Sequence, residues 1–576
     1  MSKIRRTEDN IFDIPAGANT VKTGAVYING SNYRIEPGDG RSAYTSHKKI
    51  CIGVVVKAAG KKMYGNDNYY RLFMTNDLPE PPLRADSISI GPRLLTEALG
   101  DDYRLIELLV DVFGEADAAL IMDLSMYMLV EEKAVFQHFP SWARRHAIYS
   151  STVRSDSYIS EFLGDAISFS KIDQFKREWA KEHIGTGSVY FCYDSTNTNS
   201  QAEGVYIVQK GHAKDDPTLM QVNTDYVVRQ EDGLPFTFME FPGSINDMIE
   251  ASEMIQYLKN ICDGADVKIT LVCDRGYISE ENVRLMDEND IGFLLMLKSN
   301  MNDHTFIMEK YCRKVRNRYE CYMQEFGEFG TTVKRRLFGN GSTRWFHLIW
   351  NPTLEIKHRK KLLERIEKKR KELERSIERK TRFSPDDIRN LPVWFEYEFK
   401  DAGKIIAKGR GRGGKKTVDA RVLTGFTDNN DAIEKELGQC GFYLLVTSEE
   451  MSVSEARKAY SKRDCVEKVF QALKSSLGMD EIGVASDDNL HGKSLIWFVA
   501  AILHSALFTK TDTLRTKDRK TYTIPSQIDK IDEIVADRNL NDNTYMRRYR
   551  LDKRQENIFK ACGVSQERID EFVRAM

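Results

Sequence analysis

The amino-acid sequence predicts a multidomain α+β and α/β protein. Its sheet-and-helix core is interrupted by a large insertion and flanked by N-terminal β and helical modules and a C-terminal helical tail. Three observations carry that expectation. The apolar period is strand-like before about residue 90, helix-like to about 182, and alternates between strands and helices from 183 to 300. A further strand-then-helix block begins only at 441, beyond a long basic stretch over 301–440. The helical stretch Ala459–Leu477 pairs an apolar stripe with an edge bearing a tyrosine, two cations and a carboxylate.

With 576 residues the chain holds several domains' worth of sequence and can bury a large core. Hydrophobic residues make up 41% and charged residues 30%, an ordinary soluble balance. The longest apolar run, LIWFVAAILHSALF from Leu495, suits a buried helix better than a membrane span of roughly 18–20 residues. The opening MSKIRRTEDN lacks the apolar core of a signal peptide, so an intracellular protein without a membrane partner is expected. The nine cysteines form no CxxC pair and no Cys/His ligand spacing. They are expected to be reduced, with no structural zinc. The net charge of −1 hides segregated basic patches at Lys357–Arg382, Lys404–Lys416 and Arg547–Arg554, a distribution compatible with nucleic acid.

In order, residues 1–90 read as short strands around Asn-Gly and Gly-Asp-Gly turns, then the buried strand ICIGVVVKAA. Residues 91–182 read as amphipathic helices. In SYISEFLGDAISFSKIDQFKREWAKE, Gly164 separates two halves that form either a DNA-reading helix-turn-helix or an ordinary helical hairpin. From Ser188, SVYFCYDSTNTNS is a buried strand ending at Asp194. TLMQVNTDYVVRQ and LPFTFMEF follow as strands, then a helix from about Ile245 to Asn260. VKITLVCDRGYISEENV places Asp274 after another apolar strand, with Arg275 next to it and a helix beginning near Ser279; GFLLMLK closes the run. Three strands, a helix, a strand, a helix and a strand is the order of the ribonuclease-H-like fold, in which the first and fourth strands are neighbours.

Within the 301–440 insertion, LEIKHRKKLLERIEKKRKELERSIERKTR sets Ile356, Leu363, Ile366, Leu373 and Ile377 in heptad-like register. It reads either as a solvated helix packed through a thin seam or as an arm along DNA phosphates. GRGRGGKK from Gly409 nearly matches a phosphate-binding loop. Lys416 stands where Ser or Thr is needed, however, and strand follows where helix is needed, so ATP binding is not expected. A basic hairpin touching DNA through Arg410, Arg412, Lys415 and Lys416 is the functional alternative to a plain surface turn. GFYLLVT returns the chain to the sheet in a second core segment, 441–510, and 511–576 is a polar, basic, largely helical region.

On a helix turning roughly 100° per residue, Tyr460, Arg463, Glu467 and Lys474 fall within about 60° of one another. Val466, Phe470, Leu473 and Leu477 form the adjoining apolar stripe. Taken alone, that polar edge reads as a solvated face with Glu–Lys pairs. Its spacing, Y-x2-R-x3-E-x6-K, resembles the signature helix of DDE transposases from bacterial insertion sequences of the insertion-sequence-four superfamily. The blocks DST, GHAKDDPTLMQV, GLPFTFMEFPGSINDM, CDRGY and NLHGKSLIWFVAAILH resemble the same family. The N-terminal module and the segments YTIPSQIDKIDEIVADR and DKRQENIFKACGV look like its insertion-sequence-1634 group.

That resemblance implies a catalytic and metal-binding triad of Asp194, Asp274 and Glu467 holding two magnesium ions, with manganese able to substitute. It implies contacts to the DNA backbone from Tyr460, Arg463 and Lys474, with Arg275 beside the second aspartate. The implied partners are double-stranded DNA, as terminal inverted repeats and target, and a second copy of the chain in the DNA complex. The implied setting is the bacterial cytoplasm, at the nucleoid. A nuclease of the same fold without strand transfer is one alternative; a domesticated, non-catalytic DNA-binding protein is another, which the intact acidic residues disfavour.

Overall fold

The computed structural model describes residues 4, 6, 10–35, 44–57, 60–73, 86–200, 202, 204–211, 219–339, 341–407, 416–480, 482–539 and 544–576. The chain divides into two compact units, Met1–Ala85 and Asp86–Met576. The first is a five-stranded antiparallel sheet in the order Ile11–Asp13, Lys62–Gly65, Tyr44–Val55, Ala25–Ile35, Asn19–Thr20, with a helix at Asp67–Phe73. Val26, Ile52, Met63 and Tyr69 are its buried core.

The second unit is built on one mixed sheet with helices on both faces. Ahead of it come the helices Gly91–Asp102, Leu105–Phe113 and Glu115–Glu131, and then Phe169–His183, called α1. Gly164 lies in a single π-helical turn, Phe162–Ala166, just before α1. The helix α1 packs firmly on the sheet: Trp179 and Phe175 are fully buried, Trp179 Nε1 donates to Pro235 O at 3.1 Å, and Lys176 Nζ donates to Phe238 O at 2.9 Å.

The sheet begins with β1 (Gly187–Ser200), β2 (Met220–Arg229) and β3 (Pro235–Pro242). Helix α2 (Asp247–Ile261) leads to β4 (Val267–Cys273), and α3 (Glu280–Glu288) leads to β5 (Gly292–Met296). These strands lie in the order β3-β2-β1-β4-β5. β4 runs parallel to both β1 and β5, while β2 is antiparallel to its neighbours. One face buries Phe191, Leu271 and Phe293 against α2 and α3; the other packs on the helical residues between 88 and 183 and between 456 and 573.

Three features differ from the sequence reading. Asp194 is not the last residue of β1, which continues through Ser200. The polar STNTNS run stays in the sheet because β2 supplies an antiparallel ladder from Asp194↔Tyr226 to Ser200↔Met220. The parallel neighbour β4 stops beside Tyr193, so Asp194 stands where that side of the sheet opens.

Second, the insertion is not separate from the core at its start. After α4 (Asn302–Asn317), β6 (Tyr322–Met323), β7 (Glu328–Arg336) and β8 (Thr343–Trp350) extend the sheet. β11 (Phe442–Thr447) sits between β5 and β8, antiparallel to both. Their backbone groups and apolar residues such as Phe346 and Leu348 need that partner.

Third, the basic helix α5 (Pro352–Glu378) packs through Leu362, Ile366 and Leu373, against the hairpin of β9 (Phe395–Ala407) and β10 (Lys416–Asp428). Ile356 and Leu363, expected in the seam, are 73% and 49% exposed. Leu362, Ile366 and Leu373 lie four and seven residues apart, so the heptad-like period holds, but the stripe faces a β-hairpin and leaves Ile356 and Leu363 outside it.

The chain closes the core with α6 (Val453–Ser461), α7 (Asp464–Ser475) and α8 (Asp487–Lys510). By length and composition α8 could cross a membrane, yet Leu495–Leu507 is buried throughout this unit. The last region is tied in at both ends: Val535–Arg538 pairs with Ser87–Ser89, and Ile531, Ile558 and Phe559 are buried.

Candidate functional site

The expected single helix over Ala459–Leu477 is two helices, α6 and α7, joined by a tight turn at Lys462–Arg463. Arg463 N–H bonds Tyr460 O at 3.1 Å, Cys465 N–H bonds Lys462 O at 3.1 Å and Val466 N–H bonds Arg463 O at 3.2 Å. These i→i−3 bonds wind the chain tighter than an α-helix. Downstream the apolar stripe forms as read, with Val466, Phe470, Leu473 and Leu477 buried, and Trp497 Nε1 of α8 donates to Leu477 O at 3.0 Å.

The turn brings Arg463 over the sheet. Its Nη1 donates to Asp194 Oδ2 at 3.0 Å, and its Nη2 is hydrogen-bonded to Glu467 Oε1. Asp194 Oδ1 accepts from Ser195 N at 3.0 Å and from the Tyr277 hydroxyl at 3.2 Å. Asp274 caps the short turn Arg275–Tyr277, its Oδ1 accepting from Arg275 N at 2.7 Å. Burial works against the Arg463 charge. Even so, Tyr460 and the carboxylates of Asp194, Asp274 and Glu467 hold its pKa above the ordinary guanidinium value. Burial, with Asp274 next, pushes the Tyr460 phenol up. Burial, followed by Asp194 and Asp225, does the same to Tyr277.

The structure thus gathers Asp194, Asp274, Glu467 and Tyr460 around the Arg463 guanidinium. Arg275, Tyr460, Arg463 and Glu467 line a cleft of about 560 Å³, joined by His304 of α4, His358 of α5 and Arg457 of α6. Arg457 is held by Glu328, with Nε to Oε2 at 2.7 Å and Nη2 to Oε1 at 3.0 Å. A second cleft of about 350 Å³ lies along Ser195–Asn197, Asn223, Asp247 and Lys298. Lys474 does not join the Arg463 cluster: its Nζ donates to Asn197 O at 2.9 Å, fastening α7 to the outer half of β1. Arg410, Arg412 and Lys415 lie outside the described residues, and Lys416 is the first residue of β10.

Sequence reading missed Tyr277, although CDRGY contained it, and it missed a buried acidic group behind Asp194. Asp225 accepts a hydrogen bond from the Tyr193 hydroxyl, and Asn223 Nδ2 donates to Glu250 Oε1 at 2.7 Å. Burial, then Glu250, raises the Asp225 carboxyl well above its ordinary range; burial, against the Asn223 bond and with Asp247, raises Glu250 to about 7. The signal was present as polar residues interrupting the apolar strand TLMQVNTDYVV.

Among the described residues no three His, Cys, Asp or Glu side chains are gathered closely enough to hold a metal ion. The donor chemistry fits hard divalent cations nonetheless. Carboxylates from β1, from the end of β4 and from α7 surround one positive centre, and the Arg463 guanidinium stands there.

Residues 188–503 match the family model described as the transposase DDE domain, and the chain belongs to that family. It is a DDE transposase, an enzyme of the transposase/nuclease class. Among solved structures, it is similar to a piggyBac transposase synaptic complex with hairpin DNA, at 9% identity and a TM-score of 0.34, covering 84% of this chain and 81% of that one. No curated protein matches the chain.

Proposed function

We propose that the enzyme binds the terminal inverted repeats of its own element, cleaves the ends and joins the 3′-hydroxyls to target DNA. The observation that carries this reading is the Arg463 bridge between Asp194 and Glu467, with Asp274 beside it. Asp194, Asp274 and Glu467, which share one guanidinium in the free protein, would draw together on magnesium or manganese in the DNA complex. Held by Asp194, Asp274 and Glu467, two such ions would activate the attacking oxygen and stabilise the leaving one.

The chain's own residues do the rest. On release from its carboxylates, Arg463 keeps a fixed fork of donors aimed at the phosphate beside the cleaved bond. Tyr460 and Arg275 line the same cleft and hold the strand on the Glu467 side. Lys474, at the outer half of β1, serves the backbone on the opposite side. Arg410, Arg412, Lys415 and Lys416 extend the DNA contact from the insertion. The strand order β3-β2-β1-β4-β5, with β4 parallel to both neighbours, supports a ribonuclease-H-like core. The spacing Y-x2-R-x3-E-x6-K supports the insertion-sequence-four superfamily and, with the terminal segments, its insertion-sequence-1634 group. A homodimer on paired ends, in the bacterial cytoplasm, completes the proposal.

The test is cleavage of duplexes carrying the sequence that brackets the gene, with magnesium, manganese or chelator. Cleavage at the repeat boundary that requires the divalent ion supports the reading. Binding with no cleavage under any ion would overturn it.

A further inference from the structure

Each residue of the acidic triad has a cysteine just before it in sequence: Cys192 two residues ahead of Asp194, Cys273 one ahead of Asp274, and Cys465 two ahead of Glu467. Two of them meet. Cys192 is fully buried on β1, and its thiol donates to Lys462 O at 3.9 Å. Cys465, in the first turn of α7, bonds that same carbonyl through its own N–H at 3.1 Å. The two thiols face each other within hydrogen-bonding reach. Gln230 Nε2 holds the arrangement by donating to Cys192 Sγ at 3.4 Å and to Ala459 O at 2.9 Å. The pair is reachable from one side: Cys465 is partly exposed and lines a cavity of about 1150 Å³ between α7 and the helices that follow α8.

We propose that Cys192 and Cys465 are a modification site for peroxides, oxidised to a disulfide that fastens β1 to α7. One sulfur of the pair attacks the peroxide; an S–O bond forms, the O–O bond breaks, and the departing hydroxide leaves as water with that thiol's proton. The sulfur of the other cysteine then attacks the oxidised one. The S–S bond forms, the S–O bond breaks, and the hydroxyl leaves as a second water with the second thiol's proton. Two thiols are oxidised and one peroxide is reduced to two waters. The cross-link spans the turn that carries Arg463, so it fixes the state in which that guanidinium occupies Asp194 and Glu467. The resulting loss of cleavage rests on the function proposed above; the cross-link itself does not.

The experiment treats the full chain with hydrogen peroxide, blocks remaining thiols by alkylation and maps non-reduced peptides by mass spectrometry, with end cleavage measured in parallel. A linked peptide pair containing Cys192 and Cys465, cleavage lost, and both reversed by dithiothreitol are expected. Cys465→Ser, or Cys192→Ala should the first fold poorly, is expected to form no link and to keep cleaving after peroxide. No linked peptide, linkage through Cys273, or full cleavage by the linked protein overturns the proposal. A linked pair in a protein that never cleaves, even reduced, supports the thiol pair and sinks the functional reading instead.

Discussion

Arg463 Nη1 lies 3.0 Å from Asp194 Oδ2, across 269 residues of chain, and the same guanidinium holds Glu467 one helical turn away. The three carboxylates proposed to hold the metal ions meet at this charge. Asp194→Asn, Asp274→Asn and Glu467→Gln keep side-chain shape and lose the charge that would hold a divalent ion. Each is expected to abolish magnesium-dependent cleavage while end-DNA binding, read by mobility shift, persists. Near-normal cleavage by any one of them removes that residue from the assignment.

Substituting Arg463 separates its two partners. Arg463→Ala leaves the carboxylates of Asp194 and Glu467 facing each other without the guanidinium, so affinity for a divalent ion should hold or rise. Positioning of the cleaved strand should weaken by roughly 1–3 kcal/mol, the scale of a charge-assisted phosphate contact. Arg463→Lys cannot bridge two carboxylates and should restore little. Ion titration by calorimetry and single-turnover cleavage distinguish the two effects; an unfolded variant would make Arg463 a packing residue.

The acidic group behind Asp194 gives stability a pH dependence. Glu250 is fully buried, and burial raises its carboxyl from 4.5 to about 7. A carboxyl raised in the folded state costs nothing below pH 4.5, costs progressively more up to about 7, and costs a constant amount above. Glu250→Gln should therefore stabilise the protein at pH 8, by up to about 3 kcal/mol, and change little at pH 4. Denaturant midpoints at the two pH values check the sign; equal shifts would place the effect in packing.

Helix α8 crosses the 162–166 turn at a glycine. A Cβ on Gly492 would meet the Leu163 carbonyl oxygen at 2.2 Å, closer than any side chain tolerates. Gly492→Ala should lower stability by about 1–3 kcal/mol, as overpacking does, and depress cleavage only through the folded fraction. A lower melting temperature with unchanged activity per folded molecule is the expected result.

Local patterns were legible where the chain is regular. The stripe Val466, Phe470, Leu473 and Leu477 is buried as its period required, because a helix against a core has few other options. The break at Lys462–Arg463 was not legible, since no Gly or Pro marks it and a long-range ion pair to Asp194 accompanies it. The continuation of β1 through STNTNS was hidden for a similar reason. Those residues have weak strand preference and stay extended because β2 is there. In the same way, β8 and β11 pair across chain that reads as one insertion, and only the assembled sheet reveals it.

The insertion supplies the last prediction. Strand β9 ends at Ala407 and β10 begins at Lys416, residues 408–415 lie outside the described residues, and the seam of Leu362, Ile366 and Leu373 holds this subdomain together. Neutralising Arg410, Arg412, Lys415 and Lys416 should therefore leave the melting temperature unchanged. If they meet phosphates, end-DNA binding should weaken and its dependence on salt should flatten. Each lost contact lowers the log–log slope by about 0.9. Affinities measured from low to moderate salt give that slope directly. An unchanged slope with intact cleavage would move the DNA contacts of the insertion to α5, whose exposed Lys and Arg residues flank the cleft at His358.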